Sequence, residues 1–269
     1  MSVYINSKPD EFLVAFGSIV NQTIPPDEII LIIDGPISTD LEYAINTIDS
    51  TKTNLHIIRF KENKGLGNAL KIGVEQSSYD LIARMDSDDI SLPDRFALQL
   101  NYYQQHPETD ILGGQISEFI DKPDNIIGKR KVPLENDAIY AYMKKRCAMN
   151  HPTVMFRKES VIKAGNYQDW FQNEDYYLWI RMITKNCIFA NLDKVLVNIR
   201  VNHDLYARRG GVNYFKSEAG IQILMRKLGL ISWFREIYNI SIRFFGQILI
   251  PNKLRAFFYQ SLLRSKTNV

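Results

Sequence analysis

Over the first two thirds of the chain, the pattern of apolar and polar positions alternates between two periods. Apolar runs with little polar alternation, typical of strands buried on both faces of a parallel sheet, are followed by segments of helical period. In residues 9–21, for example, Phe12, Phe16 and Ile19 share one helix face. This rhythm predicts a parallel sheet covered by helices, with right-handed crossovers. The predicted strands are 2–4, 28–34, 54–60, 79–86 and 110–120, and the predicted helices are 9–21, 65–76 and 93–106.

After about residue 120 the alternation loosens into a mixed set of elements. Residues 121–131 read as a turn or hairpin tip, and 195–202 as a strand. The segment 149–156 is apolar enough for a strand, but its Pro152 favours an edge position, because proline cannot donate a ladder hydrogen bond. Helices are predicted for 135–146, for 173–185 and for an aromatic-rich tail that begins near residue 212.

Polar side chains follow three of the predicted strands at the points where those strands end. Asp34 closes the second strand, the loop 63–67 follows the third, and the carboxylate run 86–89 closes the fourth. In open sheets with parallel strands, ligands bind outside the carboxyl ends of the strands. We therefore expect these three features to meet at one ligand-binding edge.

The run Asp86-Ser87-Asp88-Asp89 has two interpretations. Carboxylates one residue apart at a strand end can both bind a hard divalent cation, with water and phosphate oxygens completing its shell. Alternatively, the run is a solvated turn in which Asp89 or Ser91 caps the helix that begins near Pro93. The position of the run at the predicted ligand edge favours the metal site.

A second acidic pair, Glu174 and Asp175, opens the helix 173–185. Carboxylates there are ordinary complements of the helix dipole, and the alternative is that one of them is a general base. Adjacent side chains on a helix point about 100° apart, so only one of the two can be well aimed at a reaction centre.

Several other polar segments are candidates for binding phosphate. The loop 63–68 opens a helix, where backbone N–H groups attract anions, although a glycine turn at a helix start explains it equally well. His151 lies in a polar segment and is a candidate for the site or a structural residue. Cations suited to a diphosphate leaving group cluster near residue 200. The members of this cluster are Arg200, His203, Arg208 and Arg209.

Composition narrows the class of protein. With 269 residues and 45% apolar content, the chain is one large domain or a domain with an appendage. Its two cysteines are too few for a disulfide framework, and neither a secretory signal nor a spanning segment is recognisable, so we expect a cytoplasmic setting. From Lys227 onward there are seven basic residues and one acid, whereas the rest of the chain is mildly acidic. This distribution does not favour a nucleic-acid binder.

Taken together, these motifs resemble family 2 glycosyltransferases of the GT-A fold, in particular the bacterial members that build surface polysaccharides. The resemblance covers roughly residues 1–210 and is carried by four segments in register. These segments are 2–38, 62–96, 151–167 and 173–182. One departure is that IDGPIS has a single carboxylate, Asp34, where many members have two.

The resemblance implies an α/β GT-A domain over 1–211 and a helical, amphipathic, basic tail over 212–269. Within the domain, 1–120 is expected to bind the nucleotide sugar and 121–211 to bind the acceptor and supply the base. Donor contacts implied by the family pattern are Ser2, Val3, Tyr4, Asp34, Asn63, Gly65, Arg84 and Asp86. Mn²⁺ or Mg²⁺ is expected on Asp86 and Asp88, with Asp175 as the general base and Glu174 beside it. Contacts to the acceptor or diphosphate are expected from His151, Trp170, His203 and Arg208.

The implied reaction is an inverting transfer from a nucleoside-diphosphate sugar, with UDP as the expected nucleotide, to a lipid-linked oligosaccharide. The basic, aromatic tail then fits attachment to the inner face of the cell membrane, and its alternative is a helical layer packed on the domain or on a second subunit. A catalytically inactive scaffold of a polysaccharide assembly complex is a second candidate function. A sugar nucleotidyltransferase is a third, although residues 4–12 lack the glycine-rich, arginine-containing loop expected there.

Overall fold

A computed structural model describes residues 1–48, 54–201 and 210–250 of the protein. The strands are β1 (Ser2–Val3), β2 (Ile29–Ile33), β3 (Leu55–Arg59), β4 (Leu81–Ala83), β5 (Ile90–Ser91), β6 (Ile111–Phe119), β7 (Ile126–Arg130), β8 (Met155–Arg157) and β9 (Phe189–Arg200). The helices are α1 (Pro9–Val20), α2 (Thr39–Asn46), α3 (Leu66–Gln76), α4 (Arg95–Gln105), α5 (Asn136–Met143), α6 (Lys158–Lys163), α7 (Glu174–Ile183), α8 (Val212–Lys227) and α9 (Trp233–Phe244).

Strands β1, β2 and β3 form one sheet in that order, and both pairings are parallel, as the sequence rhythm predicts. All residues of β2 except Ile30 are buried, which explains why the strand is an apolar run without alternation. Helix α2 was not predicted. It is short, and it begins where the hydroxyl of Ser38 accepts a hydrogen bond from the N–H of Leu41 (3.2 Å), an ordinary N-cap.

The remaining strands form a second, mixed sheet in the order β4-β8-β6-β9-β5, with β7 paired to β6. Strand β6 is buried along its whole length and runs parallel to β9 but antiparallel to β7 and β8. The prediction of parallel neighbouring strands therefore holds for β1 to β3. Strands β4 and β6 still run in the same direction, but they are not neighbours, because β8 lies antiparallel between them. In addition, β6 turns back into β7 as a hairpin, where only a turn or hairpin tip was expected.

The prediction that 149–156 is an edge strand is also wrong. Strand β8 is an interior strand, hydrogen-bonded to β4 on one side and to β6 on the other. Pro152 is compatible with this position because it lies in a short 3₁₀ turn, His151–Thr153, that precedes the strand. The missing N–H of proline is therefore outside the ladder. Two further short elements, β5 and α6, were not predicted.

The C-terminal helical region that the sequence predicts is present, and its first helix belongs to the core. Ile221 and Met225 of α8 are fully buried in the same cluster as Trp179 and Tyr176 of α7. Helix α9 follows and packs mainly on α8, and Phe245–Leu249 extends it as a π-helical turn. Among the helices of residues 1–48, 54–201 and 210–250, none combines the length and apolarity needed to cross a bilayer.

The turn after β2 depends on a glycine. Gly35 has φ +87°, and a Cβ there would lie 2.6 Å from the backbone nitrogen of Asn63. The absence of a side chain lets the chain after β2 approach the loop after β3 this closely. As a result, the preceding carboxylate, Asp34, reaches the backbone N–H groups of Lys64 and Gly65.

Gly35→Ala is expected to lower the free energy of unfolding by about 3 kcal/mol, because the new methyl group adds a backbone clash to the cost of a left-handed conformation. Gly229→Ala is the matched control, since Gly229 has φ +73° but nothing within 4 Å of the added methyl group. It should cost only about 1 kcal/mol. Urea unfolding of both variants measures the difference, and equal losses would contradict the proposed close contact.

Candidate functional site

A cleft of about 650 Å³ opens where the ends of β1, β2 and β4 meet helix α7. It brings together most of the residues that the sequence singled out. Those lining it are Ser2, Val3, Tyr4, Asp34, Asn63, Gly65, Arg84, Asp86, Asp88, His151, Glu174 and Asp175. The expected meeting of Asp34, the loop after β3 and the carboxylate run at one edge is therefore observed.

Asp34 ties β2 to the start of helix α3. Its carboxylate accepts hydrogen bonds from the backbone N–H groups of Lys64 (2.6 Å) and Gly65 (3.0 Å), and the side chain of Asn63 donates to its carbonyl oxygen (3.1 Å). A negative charge at the N-terminus of a helix is favourable. Asp34 is nearly fully buried and thus fixes the shape of the loop that borders the cleft.

The guanidinium of Arg84 holds the carboxylate of Asp86 in a bidentate ion pair. The side chain of Arg84 is nearly excluded from water, and that of Asp86 is one third exposed toward the cleft. Burial alone would lower the pKa of Arg84, but attraction to Asp86, Tyr167 and Asp89 outweighs it and raises that pKa. Arg84 is therefore a permanent positive charge in the floor of the cleft.

Asp88 and Asp89 differ in burial: the side chain of Asp88 is exposed, and that of Asp89 is buried. Asp88 is open to the cleft, and poor hydration there, together with repulsion from Asp86 and Glu11, raises the pKa of its carboxyl to about 6. Within the described ranges, the structure has no salt bridge to Asp88. Asp89 is buried, and burial followed by the charges of Asp86 and Asp88 raises the pKa of its carboxyl well above the usual range.

The alternative interpretation of this run, a cap on the next helix, is wrong. Asp89 instead accepts a hydrogen bond from the backbone N–H of Arg200 in β9 (2.9 Å). Ser91 lies in β5, where its hydroxyl accepts from the side chain of Gln22 (3.2 Å). The helix α4 begins only at Arg95, with no side-chain cap.

Glu174 and Asp175 form the first turn of α7 and face the cleft. Burial, then repulsion from Asp175, raises the pKa of the Glu174 carboxyl to about 7. Burial also raises the pKa of Asp175, against the hydrogen bond from the backbone of Tyr176 and the charges of Arg84 and Arg130. A raised pKa keeps a carboxylate basic enough to accept a proton near neutral pH.

Ser217 of helix α8 makes three hydrogen bonds to the segment before α7. The hydroxyl of Ser217 donates to the carbonyl of Phe171 (2.6 Å) and accepts from the side chain of Asn173 (3.0 Å), and its carbonyl accepts from the indole of Trp170 (3.1 Å). Trp170 also lies against the ring of Tyr177 and is absent from the residues that line the cleft. Trp170 thus lies where it can position α7.

His151 lies in the wall of the cleft beneath α7. One ring nitrogen is 2.9 Å from the hydroxyl of Tyr167, and the ring meets Trp179 edge to face. Burial, with the charge of Arg84 as a second cause, lowers the pKa of His151 well below its usual range. A neutral imidazole can hydrogen-bond a ligand but contributes no positive charge.

Of the cationic cluster near residue 200, only Arg200 is described. Its side chain lines the cleft and donates to the carbonyls of Asp88 (3.2 Å) and Asp121 (3.3 Å), and it lies 3.6 Å from the carboxylate of Glu11. The other three candidates, His203, Arg208 and Arg209, fall in 202–209, outside the described residues.

Sequence reasoning missed several polar residues that line the cleft. A signal existed for Glu118, a carboxylate within the apolar run of β6, whereas Glu218 belongs to α8, which the sequence assigned to the tail. Nothing in their local sequence marks the others. The missed residues include Glu11, Glu118, Arg130, Arg146, Cys147, Asn150, Tyr214 and Glu218.

Comparison with known proteins identifies relatives over almost the whole chain. A family model described as "Glycosyl transferase family 2" matches residues 2–165. An uncharacterized glycosyltransferase of Haemophilus influenzae is 40% identical and aligns over 98% of this chain and 97% of its own. The amylovoran biosynthesis glycosyltransferase AmsE of Erwinia amylovora is 36% identical (97% and 96%). The UDP-Gal:alpha-D-GlcNAc-diphosphoundecaprenol beta-1,3-galactosyltransferase of Escherichia coli is 35% identical (98% and 95%).

Two solved structures share the fold at low sequence identity. S. aureus TarS 1-349 in complex with UDP-GlcNAc superposes with a TM-score of 0.63 at 15% identity, over 91% of this chain and 72% of that one. The mannosyltransferase PcManGT from Pyrobaculum calidifontis, in complex with GDP-Man and Mn²⁺, gives 0.64 at 12% identity (94% and 70%). The predicted GT-A fold is confirmed.

The raised pKa of Glu174 has a consequence for stability. Between about pH 4.5 and 7 the folded state holds a proton on Glu174 that the unfolded chain has released, so this residue lowers the free energy of unfolding as the pH rises through that window. Glu174→Gln cannot ionise, and at pH 8 it should be more stable than the parent by on the order of 2 kcal/mol.

Urea unfolding of Glu174→Gln and of the parent protein between pH 4.5 and pH 8 measures this difference, which should shrink toward zero at the acidic end. Glu159→Gln, at an exposed position of α6, is the control and should stay within about 0.5 kcal/mol of the parent. A difference for Glu174→Gln that does not change with pH would show that the carboxyl is not protonated in the folded state.

Proposed function

We propose, since the chain belongs to glycosyl transferase family 2, that it transfers a sugar with inversion from a UDP-sugar to a hydroxyl of a lipid-linked acceptor. The observation that carries this proposal is the meeting of two acidic pairs in one cleft. The pair Asp86 and Asp88 opens to the same space as Glu174 and Asp175. One pair suits a cation with a diphosphate and the other suits a proton acceptor.

The names of the relatives support this choice of donor and acceptor. The relative from Escherichia coli is named for a UDP-galactose donor and a diphosphoundecaprenol acceptor, and TarS is seen with UDP-GlcNAc. The relative from Erwinia amylovora is named for amylovoran biosynthesis. We infer that this protein acts in the assembly of a bacterial surface polysaccharide, as a hexosyl- or N-acetylhexosaminyltransferase.

The donor is proposed to bind in the half formed by residues 1–120. Asp34 would contact the base, since a carboxylate that accepts two backbone N–H groups still has free lone pairs. Arg84 would supply a fixed positive charge near the diphosphate. The other proposed donor contacts are Ser2, Val3, Tyr4, Asn63, Gly65 and Asp86.

The carboxylates of the cleft fit a divalent cation. Asp86 and Asp88 offer oxygen ligands on one loop. A bound cation would also offset the repulsion from Asp86 and Glu11 that contributes to the raised pKa of Asp88. Because Asp86 is already paired with Arg84, Asp88 is the better candidate for a direct ligand. Bound Mn²⁺ or Mg²⁺ would offset the negative charge of the diphosphate.

Asp175 is the proposed general base in the half formed by residues 121–211. Its carboxylate takes the proton of the acceptor hydroxyl, whose oxygen forms a bond to the anomeric carbon. The bond from that carbon to the diphosphate oxygen breaks on the opposite face, and UDP leaves. This single displacement inverts the anomeric centre and needs no protein nucleophile. Glu174, the neighbouring carboxylate, would orient a neighbouring group, since α7 has Asn173 at its N-cap and no side-chain cap.

The remaining proposed roles concern the acceptor and the leaving group. His151 is proposed to hydrogen-bond a ligand as a neutral imidazole, and Trp170 to act through α7. His203 and Arg208 are proposed as partners of the departing diphosphate. The helical region 212–269 is proposed to attach the protein to the inner face of the cell membrane, where a lipid-linked acceptor resides, through the part that follows the core helix α8.

Asp175→Asn should reduce kcat about 10³-fold while leaving the affinity for UDP within about twofold, because the base acts on the acceptor and not on the donor. A coupled assay of UDP release and calorimetry with UDP and Mn²⁺ provide the two readouts. Asp169→Asn, at an exposed position in the segment before α7, is the control. If Asp175→Asn keeps most of its turnover, the base is another residue, with Glu174 the next candidate.

Asp88→Asn should weaken the binding of UDP in the presence of Mn²⁺ by roughly 30-fold, because it removes an anionic ligand of the proposed cation. Binding of UDP without metal should change little. Asp94→Asn, exposed at the start of α4, is the control. In the parent protein the effect of Mn²⁺ should fade below pH 6, as Asp88 takes up a proton. A metal effect that survives Asp88→Asn would rule out this site.

A further inference from the structure

Helix α9 and the π-helical turn after it contact the body through their polar side. Asn239 is 4% exposed, and its amide donates to the carbonyl of Lys144 (2.9 Å) and to the side chain of Gln222 (2.7 Å). Arg243 donates to the carboxylate of Glu218 (2.6 Å) and to the carbonyl of Lys145 (2.7 Å). A surface helix normally buries its apolar stripe and exposes its polar one, so α9 is reversed.

The opposite side of this segment is apolar and faces outward. Phe234, Tyr238 and Ile242 are spaced four residues apart and form one stripe, with Phe234 67% exposed. The outward face as a whole consists of Trp233, Phe234, Ile237, Tyr238, Ile242, Phe245 and Leu249, with Phe244 at its border, where its ring also meets Phe215 of α8. A contiguous apolar surface of this kind marks a site of interaction.

We propose that the outward face of α9 is the surface by which the protein docks on the headgroup layer of an anionic bilayer. The inference deepens the proposed function and rests on it, since the acceptor is taken to be lipid-linked. The proposal assigns attachment to the exposed apolar side chains of α9. The polar side chains of the same helix contact the protein.

Charge favours an anionic bilayer over a second copy of the chain. From residue 227 to the end there are seven basic residues, of which Arg243 is paired with Glu218, and the one acid, Glu236, is paired with Arg226. A two-fold dimer through α9 would bring two such basic segments together, which is unfavourable. An anionic leaflet attracts them instead. Residues 251–269 continue the same composition, with four basic residues, no acid, and the aromatic run Phe257-Phe258-Tyr259.

The exposed aromatic residues of α9 also favour a bilayer as the partner. Trp and Tyr have an apolar body and a polar edge, which suits the boundary between water and acyl chains. Helices with aromatic and aliphatic side chains on one face and basic residues nearby lie in the plane of that boundary. The polar side of such a helix normally faces water, whereas in this protein it faces α8.

The polar side of α9 and of the turn after it, opposite the docking face, is joined to the cleft. Glu218 of α8 lines the cleft, and its carboxylate accepts from Arg243 and from the side chain of Gln247 (3.1 Å). Tyr214, one turn earlier on α8, lines the cleft as well. Docking of α9 therefore holds one wall of the cleft next to the bilayer, where a lipid-linked hydroxyl is presented.

Flotation of the full-length protein with vesicles tests the proposal. Parent protein should float with vesicles of phosphatidylethanolamine and phosphatidylglycerol and much less with pure phosphatidylcholine. The double variant Phe234→Glu/Ile242→Glu should bind the anionic vesicles at least about 10-fold more weakly, because two charges enter the apolar stripe. Tyr43→Glu, at a 74% exposed tyrosine of α2, is the control and should float like the parent.

Tyr238→Glu is a second, independent variant of the same stripe, and circular dichroism confirms that each variant is folded. If both stripe variants float like the parent, the proposal is wrong. It is also wrong if the parent does not float and sedimentation shows a dimer that the stripe variants dissociate, since the face is then a protein interface.

Turnover separates this inference from the proposed function. Stripe variants should keep the rate at which the parent hydrolyses its UDP-sugar in solution and lose transfer to an acceptor embedded in vesicles. Absence of donor turnover in the parent would count against the proposed function alone. Loss of vesicle transfer without loss of vesicle binding would overturn the docking role of α9.

Discussion

One buried guanidinium, that of Arg84, is the charge on which the rest of the cleft depends. Burial raises the pKa of four carboxyls around this space, and the positive charge of Arg84 opposes that rise. The carboxyls it acts on are Asp88, Asp89, Glu174 and Asp175. Without a cation fixed among them, so many carboxylates could not share one poorly hydrated space in ionised form. The ion pair with Asp86 keeps that cation in position.

Arg84 is held by backbone contacts that come from the mixed sheet. Its N–H donates to the carbonyl of Val154 (2.9 Å), where β4 ends against β8, and its carbonyl accepts from the side chain of Arg95 (2.8 Å). Arg95 is itself buried, and burial, then repulsion from Arg84, lowers its pKa to about 9. The antiparallel pairing of β4 with β8 thus positions the charge that the donor side and α7 share.

The features that could be predicted from the sequence are those that nearby residues determine. Strand β2 has a clear apolar run, Asp34 follows it directly, and the carboxylate run 86–89 comes within a few residues of β4, so pattern and spacing are sufficient for these features. The interior position of β8 depends on pairing with β4 and β6, which lie far away in sequence, and Pro152 pointed to the wrong answer. Likewise, Glu218 reaches the cleft only because α8 packs on α7, and no local pattern reports that contact. The role of each cleft residue stays a prediction.

Each part of the fold supplies a different group to the cleft. The parallel sheet presents Asp34 and the loop after β3, and the mixed sheet presents the carboxylate run with its guanidinium. Helix α7, whose preceding segment is hydrogen-bonded to Ser217 of α8, brings Asp175 to the same space. The most direct test of single displacement is the anomeric configuration of the product, read by proton NMR after transfer from an α-linked UDP-sugar. A β-linked product is expected if Asp175 acts as a base on the acceptor, and an α-linked product would contradict that mechanism.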